Sequence, residues 1–199
     1  MKITIADCQL GYSNKVILKI DKLHFESGRI NLIIASNGEG KTTLIKAVAN
    51  LLLPINGTIT KINPEKVSYV SAESNLSDLH MSSSQYFNLM TDINAPSINM
   101  FDKSFELLNK TLPKLVLNLS TGMKQLLKLS AVCLDGKDIY IWDEPLKSLA
   151  PETRKKIVEF LDNISKDKIV IVSDHSSESW KGSNVKIFNL VGGEIIEYN

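Results

Sequence analysis

No run of apolar residues in this sequence approaches the ~18 needed to cross a bilayer. The opening stretch, Met1 to Leu10, carries a charged or polar group every second or third residue, so it lacks the apolar centre of a signal peptide. Work at a membrane would therefore be done as a peripheral subunit. Charge of one sign is missing as well: 23 lysines and arginines face 22 acidic residues, which leaves no electrostatic footprint for nucleic acid. Cysteine is scarce, with only Cys8 and Cys133 and no CxxC spacing. A disulfide framework is thereby excluded, and buried thiols in a reducing, cytoplasmic compartment are expected. Repeats and low-complexity segments are absent.

What is present is enough for one well-buried domain, since 199 residues are too few for two full ones. The start alternates as strands do through Lys2-Ile3-Thr4-Ile5, turns near Gly11, and resumes at Val16-Ile17-Leu18 and Leu23-His24-Phe25, which predicts short antiparallel strands. A compact apolar run from Ile30 to Ala35 leads through a glycine-bearing turn to helical spacing at Leu44, Ile45, Val48, Ala49 and Leu52. Two further runs, Ile139–Trp142 and Ile169–Val172, read as buried parallel strands separated by a charged helix from about Glu152 to Ile164. Such alternation implies right-handed βαβ units and an α/β fold. Residues 74–134 show helical spacing interrupted at Pro96, Pro113 and Gly122, and the tail reads as a hairpin turning at Gly192-Gly193.

Ala35-Ser36-Asn37-Gly38-Glu39-Gly40-Lys41-Thr42-Thr43 lies between a predicted strand and helix, the setting of a Walker A phosphate-binding loop. There, backbone N–H groups and the helix N-terminus face phosphates, the lysine reaches the β and γ phosphates, and the following hydroxyl ligates magnesium. Ser36, Asn37, Gly38, Gly40, Lys41, Thr42 and Thr43 are the candidate nucleotide-binding residues. Ala35 stands where the pattern has glycine; its methyl group is tolerated if φ is negative and strained if φ is positive.

Four further segments, three after this loop and one before it, fall in an order and approximate spacing that resemble the ATP-binding cassette (ABC) ATPases over nearly the whole chain. Leu119-Ser120-Thr121-Gly122-Met123-Lys124-Gln125 is similar to the LSGGQ signature in its LSxGMKQ form, and Ser120 and Gly122 are its nucleotide-facing positions. The same segment reads independently as an N-capped helix starting at Ser120 or Thr121. Asp138 to Pro145 resembles a Walker B strand, implying that Asp143 holds Mg2+ through water and that Glu144 polarises the attacking water. Val172-Ser173-Asp174-His175 resembles the switch segment, with His175 on the γ-phosphate, whereas His24 and His80 read as structural. Tyr12 is the candidate adenine platform, where stacking contributes roughly 1 kcal/mol.

The resemblance implies a P-loop ABC-type ATPase domain: a mostly parallel core sheet flanked by helices, an antiparallel β subdomain over 1–73, an inserted helical subdomain over 74–134, and a core over 135–199. It also implies ATP and Mg2+ as ligands, with Glu144, His175 and Lys41 catalytic. The partners implied are a second nucleotide-binding domain, in a homodimer or heterodimer, and transmembrane permease subunits on another chain. The site would then lie peripherally on the inner face of the cell membrane. The LSxGMKQ form, with no C-terminal regulatory domain, implies export of a drug, peptide or lipid. Two positions depart from the family: Ala72 replaces the magnesium-ligating glutamine, with Glu73 one place later, and Ala150 replaces an aspartate at the dimer seam. Together with Ala35 in the phosphate-binding loop, they motivate an alternative, an ATP-binding but weakly hydrolysing half of a heterodimer. A soluble ABC ATPase of iron–sulfur assembly is another. GTP is not expected, because the NKxD guanine-reading tetrapeptide is absent.

Overall fold

The computed structural model describes residues 1–13, 15–72, 76, 79–90, 113–132 and 137–198. Its elements run β1 (Lys2–Tyr12), β2 (Lys15–Glu26), β3 (Ile30–Ala35), α1 (Lys41–Val48), β4 (Asn56–Ile59), β5 (Val67–Val70), α2 (Ser83–Met90), α3 (Thr121–Val132), β6 (Ile139–Asp143), α4 (Pro151–Ser165), β7 (Ile169–Asp174), β8 (Val185–Val191) and β9 (Glu194–Tyr198).

The central sheet has the order β5-β6-β7-β3-β8-β9 and is parallel except for the terminal β8–β9 hairpin. Its inner strands are apolar on both faces because both faces are covered. On one side Ile33, Ile139, Ile141, Ile169 and Ile171 pack with α1 and with the small antiparallel sheet β2-β1-β4. On the other, Leu32, Tyr140, Trp142, Val170 and Val172 pack with Leu126, Leu127 and Leu129 of α3 and with Ile157 and Leu161 of α4. The buried Trp142 indole donates to Ser68 Oγ at 3.0 Å, and that hydroxyl donates to Val132 O, so the polar tip inside the core is satisfied.

Several boundaries differ from the sequence reading for identifiable reasons. The first strands are long rather than short: β1 and β2 pair antiparallel from Lys2↔Glu26 to Tyr12↔Lys15. The expected turn near Gly11 is instead a register irregularity between Leu10 and Gly11, and the chain reverses beyond Tyr12, where Ser13 has φ 47°. α1 stops at Val48 although the apolar spacing continues to Leu52. Asn50 takes φ 61°, and the N–H groups of Leu51 and Leu52 turn back to Lys46 O at 2.8 and 3.2 Å, satisfying a carbonyl at the helix end. In the stretch read as helical, α2 and α3 are observed, while Pro96, Glu73 and Cys133 lie outside the described residues. Cys8 is buried with a free thiol.

Strand order is what builds the site. β6, β7 and β3 are adjacent and parallel, so the segments leaving their C-terminal ends emerge along one edge of the sheet. Open α/β sheets bind ligands along that edge.

Candidate active site

The loop from β3 to α1 turns on two left-handed glycines, Gly38 at φ 85° and Gly40 at φ 97°, the latter being the N-cap of α1. A side chain at Gly40 would come within 2.9 Å of Leu18, so β2 packs directly against the loop. Ala35 is the last residue of β3 and is not among the residues with positive φ, so its methyl group sits in extended backbone without strain. Ile17, Ser36, Asn37, Gly38, Gly40, Lys41, Thr42, Thr43 and Glu144 line a cavity of about 210 Å³. Its β2 wall is Ile17. Tyr12 is not among the lining residues; it lies 44% exposed at the end of β1.

Lys41 is buried, and its ammonium donates to Ala35 O at 2.7 Å. The same nitrogen lies 3.3 Å from His175 Nδ1 and 3.9 Å from Glu144 Oε1. Three residues 134 positions apart at the extremes are thus drawn to one point by strand order. His175 Nε2 lies 3.0 Å from Glu144 Oε1, and the His175 N–H donates to Asp174 Oδ1 at 2.6 Å. The other Asp174 oxygen accepts the indole N–H of the buried Trp180 at 2.9 Å, which fixes the segment carrying His175.

Asp143 is fully buried at the end of β6, and both of its oxygens are engaged. Thr42 Oγ1 donates to Oδ2 at 2.8 Å, and Ser173 Oγ donates to Oδ1. Ser173 Oγ in turn accepts the Glu144 N–H at 3.0 Å. A hydroxyl and a carboxylate side by side are hard oxygen donors of the kind magnesium takes, so the Thr42–Asp143 pair fits that ion. Glu144 itself has φ 49°, a conformation costly for a residue with a side chain and held here by the Ser173 bond. Burial pushes its carboxyl up, but the hydrogen bond and charge of Lys147, followed by the charges of His175 and Lys41, outweigh this and hold it below the usual carboxylate range.

The signature segment adjoins the same turn from below. Ser120 Oγ accepts the Met123 N–H at 3.3 Å, capping α3 as expected. Gly122 lies so close to the turn after β6 that a Cβ there would be 2.5 Å from Ser148 O, which excludes any larger residue without a shift. Gln125, buried on α3, donates to Pro145 O at 3.0 Å. Ala72 follows β5 in a turn, and Ala150 is the exposed, extended N-cap of α4 with no side-chain bond to the helix.

Sequence reasoning missed Ser173, Gln125 and Lys147. Ser173 and Gln125 stood inside quoted segments, and a hydroxyl at the end of a buried strand was a usable signal for the first. Nothing in the spacing marked Lys147.

A family model described as ABC transporter matches residues 18–147. The zinc import ATP-binding protein ZnuC of Wolbachia pipientis wMel is 29% identical over 174 residues, covering 85% of this chain and 71% of that protein. The "Probable peptide export ATP-binding protein YydI" of Bacillus subtilis (strain 168) is 30% identical over 207 residues, covering 99% of this chain and 94% of the relative. Among solved structures, an ATP-binding subunit of an ABC transporter aligns with a TM-score of 0.83 at 20% identity, covering 100% of this chain and 90% of that one. A bacterial Atm1-family ABC exporter with ATP bound gives 0.84 at 17% identity over 98% of this chain and 38% of that chain. At such identities the structures establish the fold, while the family model and the relatives carry the assignment further. With a family match over residues 18–147 and a relative 30% identical along nearly its whole length, the chain belongs to the ABC transporter family as an ATP-binding subunit that hydrolyses ATP.

Proposed function

We propose that this chain energises export of a drug, peptide or lipid through membrane-spanning subunits on other chains, working as one of two paired nucleotide-binding domains on the inner face of the cell membrane. The peptide class is favoured by the peptide-export relative, which matches nearly end to end, whereas the zinc-import relative covers less of the chain. Among the described residues no helix is long and apolar enough to cross a membrane, which is compatible with the membrane path lying elsewhere. The chain is read as one ATPase domain over 1–199, with the helical insertion at 74–134.

The observation that carries the reading is the convergence of Lys41, His175 and Glu144 beside the linked Thr42–Asp143–Ser173 hydrogen bonds. In it Ser36, Asn37, Gly38, Gly40, Lys41, Thr42 and Thr43 hold the phosphates, and Thr42 and Asp143 hold Mg2+. A magnesium ion held there by Thr42 and, through water, by Asp143 would supply positive charge against the phosphate oxygens. Glu144 polarises the attacking water, His175 holds the γ-phosphate end, and Lys41 stabilises charge developing there. Ser120 and Gly122 face the nucleotide of the paired domain, and Tyr12 supports adenine from the edge of β1. The weakly hydrolysing alternative keeps only Ala72 and Ala150 as grounds, because Ala35 sits without strain.

Glu144→Gln tests the reading. It is expected to keep ATP affinity while lowering magnesium-dependent phosphate release by about a hundredfold or more, and to stall ATP-driven peptide efflux from cells carrying the complex. Undiminished hydrolysis in that variant refutes the assignment of Glu144; inward rather than outward substrate movement refutes export.

A further inference from the structure

Glu144 is held at its backbone and at both carboxylate oxygens. The backbone N–H is bound by Ser173, and Oε1 lies 3.0 Å from His175 Nε2 and 3.9 Å from Lys41 Nζ. These contacts belong to the site already described. The other oxygen, Oε2, accepts from Lys147 Nζ at 3.0 Å, and Lys147 comes from the turn between β6 and α4, to which no role in hydrolysis has been given.

We propose that Lys147 is a positioning residue for ATP hydrolysis, capturing Oε2 of Glu144 so that Oε1 is presented toward Lys41 and His175 in the phosphate cavity. The inference rests on the reading of Glu144 as the group that polarises water. The terminal torsion of a glutamate is broad and roughly two-fold, so a contact at one oxygen leaves the carboxylate plane free to pivot. A second contact on the opposite oxygen fixes it. The turn brings Lys147 into reach: its N–H donates to Glu144 O at 3.2 Å, which returns the side chain over the carboxylate three residues earlier. A like charge stands nearby, because Lys128, buried in α3, is held below its usual range first by burial and then by the charge of Lys147. The Lys147 side chain is 63% exposed and that of Glu144 12%, so the pair adds little to folding and its effect is expected in turnover.

The test is steady-state ATP hydrolysis by the full chain with magnesium, alongside nucleotide affinity and thermal midpoint. Lys147→Met is expected to lower kcat about threefold to tenfold with KM and midpoint nearly unchanged, and Lys147→Arg is expected to restore most of kcat. In a Glu144→Gln background, Lys147→Met is expected to cause no further loss, as coupled residues behave. An unchanged or raised kcat in Lys147→Met overturns the proposal, as does an equal loss when Glu144 is already glutamine. The two ideas separate cleanly. An inactive Glu144→Gln with a fully active Lys147→Met removes Lys147 alone, whereas an active Glu144→Gln removes the water-polarising role and this inference with it.

Discussion

Replacing Ser173 with alanine removes one oxygen that serves two groups. Ser173 is fully buried; its hydroxyl donates to Asp143, which is itself fully buried, and accepts the Glu144 N–H. In Ser173→Ala the carboxylate loses a donor and the N–H an acceptor. A hydrogen bond to a charged group contributes about 1.5–3 kcal/mol, and leaving a buried donor unmatched costs about 1–3 kcal/mol. The two overlap, because the Thr42 bond to Asp143 remains, so a net loss of about 2–4 kcal/mol is expected. At roughly 2–4 °C per kcal/mol for a chain of this size, the thermal midpoint falls by about 5–15 °C. Catalysis suffers as well, because the Ser173 bond holds the left-handed backbone of Glu144. Misplacement by an ångström costs on the order of a hundredfold in rate. Urea unfolding and phosphate release, measured on Ser173→Ala and on Ser173→Thr, which keeps the oxygen, check both effects. A stability change below about 0.5 kcal/mol together with normal turnover in Ser173→Ala refutes the reasoning.

Two other outcomes follow from single positions. Ala150 is an exposed N-cap with extended backbone and no side-chain bond, so Ala150→Asp is expected to gain about 1 kcal/mol and raise the midpoint by about 2–4 °C in a thermal melt. Lys128 is lowered by burial and by Lys147, so the folded chain binds its proton less well than the unfolded chain does. The resulting penalty is full below the folded value and fades as pH rises toward the unfolded lysine value near 10.4. The stability difference between Lys128→Met and the parent, from denaturant unfolding between about pH 7 and pH 10, should therefore shrink with rising pH. A difference that is flat with pH counts against it.

Much of the fold was legible because its signals are local. The apolar runs at 30–35, 139–142 and 169–172 read as strands covered on both faces and lie within the observed β3, β6 and β7, and the loop from Ser36 to Thr43 carries its pattern in consecutive residues. Boundaries were less legible where a local turn cut a periodic pattern, as Asn50 does beyond α1. Ala35 was ambiguous in sequence, since the consequence of its methyl group depends on φ, which the strand decides.

By itself, then, the sequence determined the α/β class, the glycine-bearing loop between β3 and α1 and the carboxylates at the end of β6, because each rests on neighbours within a few residues. Only the tertiary structure decided which groups meet. The order β6-β7-β3 brings Asp143, Glu144 and His175 to Lys41; the buried Ser173 hydroxyl bridges two of them; and Lys147 turns back onto Glu144. The physical reason is that hydrogen bonds and charge pairs depend on distances of a few ångströms. Those distances are set by strand pairing between segments more than a hundred residues apart, which no local pattern encodes.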